Sequence, residues 1–136
     1  MSCRVLVIDD SKFMRMMLGE ILRDAGCEVI ELDNGSDAVD MYAAHKPDLV
    51  TLDILMPEQD GLVTLQLLKH EYPNCRVVMV TALGMEDYLE RAGASGADGA
   101  IIKPFSDAQV FGVLERVMGR PFASCSSDDE EENSAD

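Results

Sequence analysis

Two hydrophobic periods alternate along the chain. Residues 4–9, 28–32, 49–52, 76–80 and 100–102 are short, almost continuous apolar runs, most of them rich in Val and Ile. Continuous rather than alternating apolarity predicts strands buried on both faces, as in a parallel sheet. Glu28 and Glu31 make the second run the most polar, so it is expected at a sheet edge.

Between these runs the period becomes helical. Residues 11–25 place Met14, Met17, Leu18, Ile21, Leu22 and Ala25 on one broad face, and Gly26 follows as a stop. The Met14, Met16, Met17 run is read as core filler. A second helix is predicted over 36–45, starting at Ser36 and ending before Pro47, and a third over 62–71, ending before Pro73. A fourth, over 85–95, has the weakest signal because Gly93 lies inside it. The last has the clearest: Ser106 with Gln109 forms a capping box, and Val110, Val113, Leu114 and Val117 form one stripe. Gly119 and Pro121 then stop it.

This alternation predicts an α/β fold, a doubly wound five-stranded parallel sheet with five helices covering both faces through right-handed crossovers. One domain is expected over residues 1–121. From Ser124 the apolar pattern vanishes, so residues 122–136 are expected to form an acidic, disordered tail.

Charge narrows the function classes. The chain carries 26 acids against 11 bases, a net charge of −15. Six of the acids fall after residue 123 with no base, which leaves 20 acids and 11 bases, or −9, in the body. Such a body is a poor partner for phosphate backbones, so nucleic-acid binding is not expected. No apolar run approaches the ~18 residues of a membrane span, and no secretory signal is legible, so no membrane insertion is expected. Cys3, Cys27, Cys75 and Cys125 lack zinc-ligand spacing and are read as reduced thiols of a cytoplasmic protein. His45 and His70 lie near helix ends and are read as surface residues.

In a doubly wound sheet, ligands bind outside the carboxyl ends of the strands. The first strand ends on Asp9 and Asp10, the third on Asp53, the fourth on Thr81 and the fifth on Lys103. The second ends on Asp33-Asn34-Gly35, which reads as a turn. Three close carboxylates cannot all stay ionised without a cation. Mg²⁺ suits carboxylate, carbonyl and water oxygens and leaves positions open for phosphate. A hydroxyl and an ammonium beside it complete the layout needed for phosphoryl transfer, and a carboxylate is a competent acceptor. A single Asp at a strand end is usually a turn or cap residue; five such groups converging on one rim are not so easily dismissed.

Asp9-Asp10-Ser11, Asp53 with Met56-Pro57 and Asp60-Gly61, Thr81-Ala82, Gly96-Ala97-Asp98-Gly99 and Lys103-Pro104-Phe105 stand in order. Over residues 4–118 the chain resembles the receiver domain of two-component response regulators, most of all the CheY-like, single-domain chemotaxis type. The resemblance implies a flavodoxin-like strand order 2-1-3-4-5. It implies Asp53 as phosphoacceptor, with Thr81 and Lys103 contacting the phosphoryl group and the Ala82 N–H close by. It implies Mg²⁺ held by Asp9, Asp10, Asp53 and the backbone carbonyl of Leu55, and a cis Lys103–Pro104 bond. The implied partners are a chemotaxis-type histidine kinase and, downstream, a flagellar-motor switch protein or a phosphotransfer protein, with the chain itself a monomer and not an enzyme of small-molecule turnover. A phosphate sink, a relay shuttle, an adaptor that is never phosphorylated, and a Mg²⁺-dependent small-molecule phosphatase are the competing functions. Residues 54–61 are too short for the cap insertion that a phosphatase needs.

Two departures from the family pattern stand out. Ala100 occupies the place, three before Lys103, where receivers usually carry an aromatic that couples the site to the output face. Coupling must then use another route, with Tyr88 a candidate. Leu55 and Leu83, each two residues past a site residue, are apolar where receivers border the path of the attacking water. They predict a longer-lived phosphorylated state.

Overall fold

Alternate residues of each strand face opposite helical layers, which is why the apolar runs are continuous. In β1 (Cys3–Ile8), Val5 and Val7 pack toward one side while Leu6 and Ile8 pack toward the other. The structure is a computed structural model that describes residues 3–56 and 59–119. The elements follow as α1 (Lys12–Asp24), β2 (Cys27–Leu32), α2 (Ala38–His45), β3 (Leu49–Asp53), α3 (Gly61–Glu71), β4 (Val77–Ala82), α4 (Glu86–Ala94), β5 (Gly99–Lys103) and α5 (Asp107–Met118). All strand pairs are parallel, in the order β2-β1-β3-β4-β5. The expected architecture is therefore present, with the Glu28/Glu31 strand at one edge and β5 at the other.

Helices α1 and α5 cover one face, through Leu18 and Leu22 and through Val110, Val113 and Leu114. Helices α2, α3 and α4 cover the other, through Ala38, through Leu62, Leu65 and Leu68, and through Ala92. Side-chain caps start three helices. Ser11 accepts from the Met14 N–H at 3.3 Å and Asp60 from the Val63 N–H at 3.0 Å. Ser106 and Gln109 exchange bonds of 3.2 and 2.8 Å in the expected capping box.

Four sequence expectations need correction or fall outside this description. Met16 and Met17 are 46% and 36% exposed and Met14 is half-buried, so the methionine run does not fill the core. Helix α1 buries only the narrow stripe Leu18, Gly19 and Leu22, and the 3.6-residue period turns Met16 away from it. Ser36 does not start α2. Its hydroxyl donates to Asn34 Oδ1 at 2.9 Å, as does the Asp37 N–H, and this turn delays the helix to Ala38. His45 is half-buried, and its carbonyl accepts from Arg4 Nη1 at 2.6 Å; His70 is exposed as expected. The domain boundary at residue 121 and the acidic tail over 122–136 lie outside the described residues.

Candidate functional site

Each group of the predicted rim arrives on the carboxyl end of its strand. Asp9 follows β1, Asp53 closes β3, Thr81 lies near the end of β4 and Lys103 closes β5. Asp9, Asp53 and Thr81 are 5%, 7% and 2% exposed, whereas Asp10 faces solvent. One carboxylate oxygen from each of Asp9, Asp10 and Asp53 lies within 4.8 Å of the others. This is the one cluster among the described residues with the geometry to hold a metal ion, and its all-oxygen donors suit Mg²⁺.

Lys103 Nζ lies 3.6 Å from Asp9 Oδ2 and 3.6 Å from Asp53 Oδ1. One ammonium between two buried carboxylates leaves the group net negative. Burial, and after it the charge of Asp9, push the Asp53 carboxyl up to about 6, while Lys103 opposes the shift and Asp10 adds to it. A divalent cation would remove this frustration. Beside the cluster, Asp53, Leu55, Thr81, Ala82, Met85 and Lys103 line a cavity of about 230 Å³ together with Ile54. The Thr81 hydroxyl makes only a long 3.4 Å contact to its neighbour's carbonyl, so it can turn to a ligand. The Lys103–Pro104 bond is cis.

Three supporting residues were not singled out for these roles by the sequence pattern. Arg15 donates from Nη1 to the Asp9 carbonyl at 2.7 Å and from Nε to Glu31 at 3.3 Å, so α1 and β2 together fix the end of β1. Gly61 packs against the end of β3, and its N–H donates to the Ile54 carbonyl at 2.7 Å. Asp98 accepts from the Val77 N–H at 2.9 Å and from Lys69 Nζ at 3.0 Å, tying the turn before β5 to β4 and α3. Arg15 carries no local signal, and Asp98 stands in the quoted Gly96-Ala97-Asp98-Gly99 motif, but the partners of both are distant in sequence, so only the fold reveals their roles. Gly61 stands in the quoted Asp60-Gly61 motif, but only the fold reveals its close approach.

Leu55 and Leu83 are 55% and 75% exposed, consistent with apolar side chains standing at the rim rather than in the core. Tyr88 is half-buried on α4, with the Arg91 guanidinium 5.3 Å from its ring centre. Cys3, Cys27 and Cys75 are buried and form no disulfide; Cys125 lies outside the described residues. Among the described residues no helix is long and apolar enough to cross a membrane.

Residues 5–115 match the response regulator receiver domain family. The chain is 40% identical over 119 residues to the chemotaxis protein CheY of Bacillus subtilis, covering 87% of this chain and 99% of that one. The chemotaxis protein CheY4 of Vibrio cholerae superposes with a TM-score of 0.81 at 28% identity, covering 86% of this chain and 99% of that one. A chain of the CheX–CheY–BeF3–Mg²⁺ complex from Borrelia burgdorferi superposes with a TM-score of 0.81 at 35% identity, over 85% of this chain and 89% of that one.

Proposed function

The chain belongs to the response regulator receiver domain family and is CheY-like, and on that premise we propose that Asp53 takes a phosphoryl group from a chemotaxis-type histidine kinase. The observation that carries this reading is the placement of Lys103 Nζ at 3.6 Å from both Asp9 and Asp53, in a rim where three carboxylates gather. Asp9, Asp10, Asp53 and the Leu55 carbonyl would hold Mg²⁺. When bound, it supplies positive charge that neutralises the rim and the incoming phosphoryl oxygens. The Mg²⁺ that accompanies the Borrelia CheY complex supports that choice of metal.

In the transfer, an Asp53 carboxylate oxygen forms a bond to phosphorus as the bond to the donor's histidine nitrogen breaks. The departing imidazole keeps the electron pair. Lys103 pairs with one phosphoryl oxygen, and the Thr81 hydroxyl donates to another. The product is an acyl phosphate, relayed as a change in protein binding to a flagellar-motor switch protein or a phosphotransfer protein. The chain acts as a cytoplasmic, monomeric phosphoacceptor rather than an enzyme of small-molecule turnover. A phosphate sink or shuttle is the second reading, and the missing aromatic rotor at Ala100 favours it over a steep switch.

The test is incubation with acetyl phosphate and Mg²⁺, read by intact-mass spectrometry. A single phosphate adduct, absent in Asp53→Asn, supports the reading. An adduct that persists in Asp53→Asn, or none in the unaltered chain, overturns it.

A further inference from the structure

Cys3 and Cys27 stand directly opposite each other, as the first residues of β1 and β2 in their parallel register. The turn at Gly26, with φ 91° and its N–H on the Arg23 carbonyl at 2.9 Å, ends α1 and lets β2 start at Cys27. The next pair along, Arg4 opposite Glu28, is tied by an ion pair of 3.0 Å. Arg4 is itself anchored, through Nη1 to the His45 carbonyl at 2.6 Å and through its N–H to Asp48 at 2.8 Å. These bonds hold the register at this end of the sheet. A one-residue slip would break the Arg4–Glu28 pair and turn Cys27 to the other face.

Both cysteines belong to the core cluster on the α1/α5 side, so their side chains point the same way. Neighbouring strands lie about 4.8 Å apart. Disulfides span Cα separations of about 4.4–6.8 Å, so the register brings the two sulfurs within bonding reach. Cys75 belongs to the cluster on the opposite side of the sheet, which keeps it from the pair. The two thiols differ in access. Cys3 is 2% exposed in a strand paired on both sides, whereas Cys27 is 6% exposed in the edge strand.

We propose that Cys3 and Cys27 form a paired redox-modification site, closed to a disulfide by a small peroxide and reopened by thiols. The peroxide meets Cys27 first. The Cys27 sulfur bonds to one peroxide oxygen as the O–O bond breaks, and the departing hydroxide takes the Cys27 proton to leave as water. The Cys3 sulfur then bonds to the Cys27 sulfur, and the second hydroxide leaves as water with the Cys3 proton. Two electrons pass from the sulfurs to the peroxide, giving one disulfide and two waters. The closed ring contains α1, Asp9 and Asp10, and it pins the edge strand to β1. A reducing compartment makes such a bond transient, so it records oxidant load rather than building the fold. The proposal goes beyond the phosphoacceptor reading and does not depend on it.

The test treats the full-length chain, without phosphodonor or Mg²⁺, with hydrogen peroxide, then alkylates it in denaturant and maps it by mass spectrometry. A linked Cys3–Cys27 peptide pair, released by dithiothreitol, is expected as the main cysteine product. The linked chain should melt at least about 5 °C higher than the reduced one, because the ring restrains the unfolded chain. In Cys27→Ser, Cys3 should remain a thiol at the same dose, since the sulfur oxidised first is gone. Alkylation of both cysteines as thiols after peroxide overturns the proposal. So does their oxidation to separate sulfinic acids, or linkage to Cys75 or Cys125 as the main product. An unchanged or lower Tm of the linked chain, or equal oxidation of Cys3 in Cys27→Ser, overturns it as well.

Discussion

Gly61 lies directly against the backbone of Asp53. A Cβ at Gly61 would run into the Asp53 carbonyl oxygen and come within 2.7 Å of Ile54 Cα. The first turn of α3 thus presses on the strand end that presents the phosphoacceptor, and backbone atoms cannot give way as a flexible side chain can.

Gly61→Ala is therefore expected to destabilise the fold by about 1–3 kcal/mol, the usual range for overpacking. It should also slow phosphorylation of Asp53, because relief of the clash moves the acceptor. Thermal melts and acetyl phosphate kinetics check both. An unchanged Tm with unchanged kinetics contradicts the close approach.

The raised Asp53 carboxyl makes stability depend on pH. Folding lifts its pKa from 3.8 to about 6, so the folded state binds the proton more tightly than the unfolded chain. The cost of ionisation is fully present above about 6, is relieved as pH falls through that value, and is gone below 3.8. Without divalent cations, Asp53→Asn should be more stable than the unaltered chain at pH 7.5, and the gap should close toward pH 4. Denaturant titrations across that window check it. Mg²⁺ affinity of the unaltered chain, measured by calorimetry, should fall as pH drops through about 6, because the proton and the cation compete.

Leu55 and Leu83 stand exposed at the rim and cannot orient a water by hydrogen bonding. Replacing them with Asn and Glu should shorten the lifetime of the phosphorylated state, by the order of tenfold, about 1.4 kcal/mol in barrier height. Loss of the phosphate adduct over time, followed by mass spectrometry, measures it. An equal or longer lifetime in the double variant contradicts the reading.

Asp98→Ala leaves the Val77 N–H and the Lys69 ammonium without their shared acceptor. The expected cost is about 1–3 kcal/mol, most of it from the backbone donor rather than the partly exposed ion pair. Because Asp98 lies at the opposite end of the sheet from Asp53, phosphorylation kinetics of the folded variant should be unaffected. Denaturant melts together with adduct kinetics separate the two effects.

The architecture was legible because the central strands β1, β3 and β4 are buried on both faces and so read as almost unbroken apolar runs. The rim was legible for a different reason: a parallel sheet gathers all its carboxyl ends on one side, so listing the last residue of each strand locates the site. What local pattern could not supply was depth. Met16 and Met17 have the composition of a core yet lie on the outer side of α1. Asp98 and Arg15 look like surface charges, and their roles depend on partners brought close only by folding. Ala100 was visible as a departure, but a missing side chain becomes a cavity only when α4 and Gly93 stand opposite it.

Helix α4 buries a single residue, Ala92, out of its nine, and it has no side-chain cap at its start. The remainder of the sheet is clamped by helices that each bring larger side chains into the core, α2 excepted. Local opening free energies follow such burial, from near zero at frayed segments to the global value in core strands. In hydrogen exchange, the amides of α4, like those of α2, are therefore expected to trade protons through a small local excursion, while β1 and β3 wait for the whole domain to unfold. Helix α4 begins four residues after Ala82, which follows Thr81, so a weakly anchored segment is joined directly to the rim.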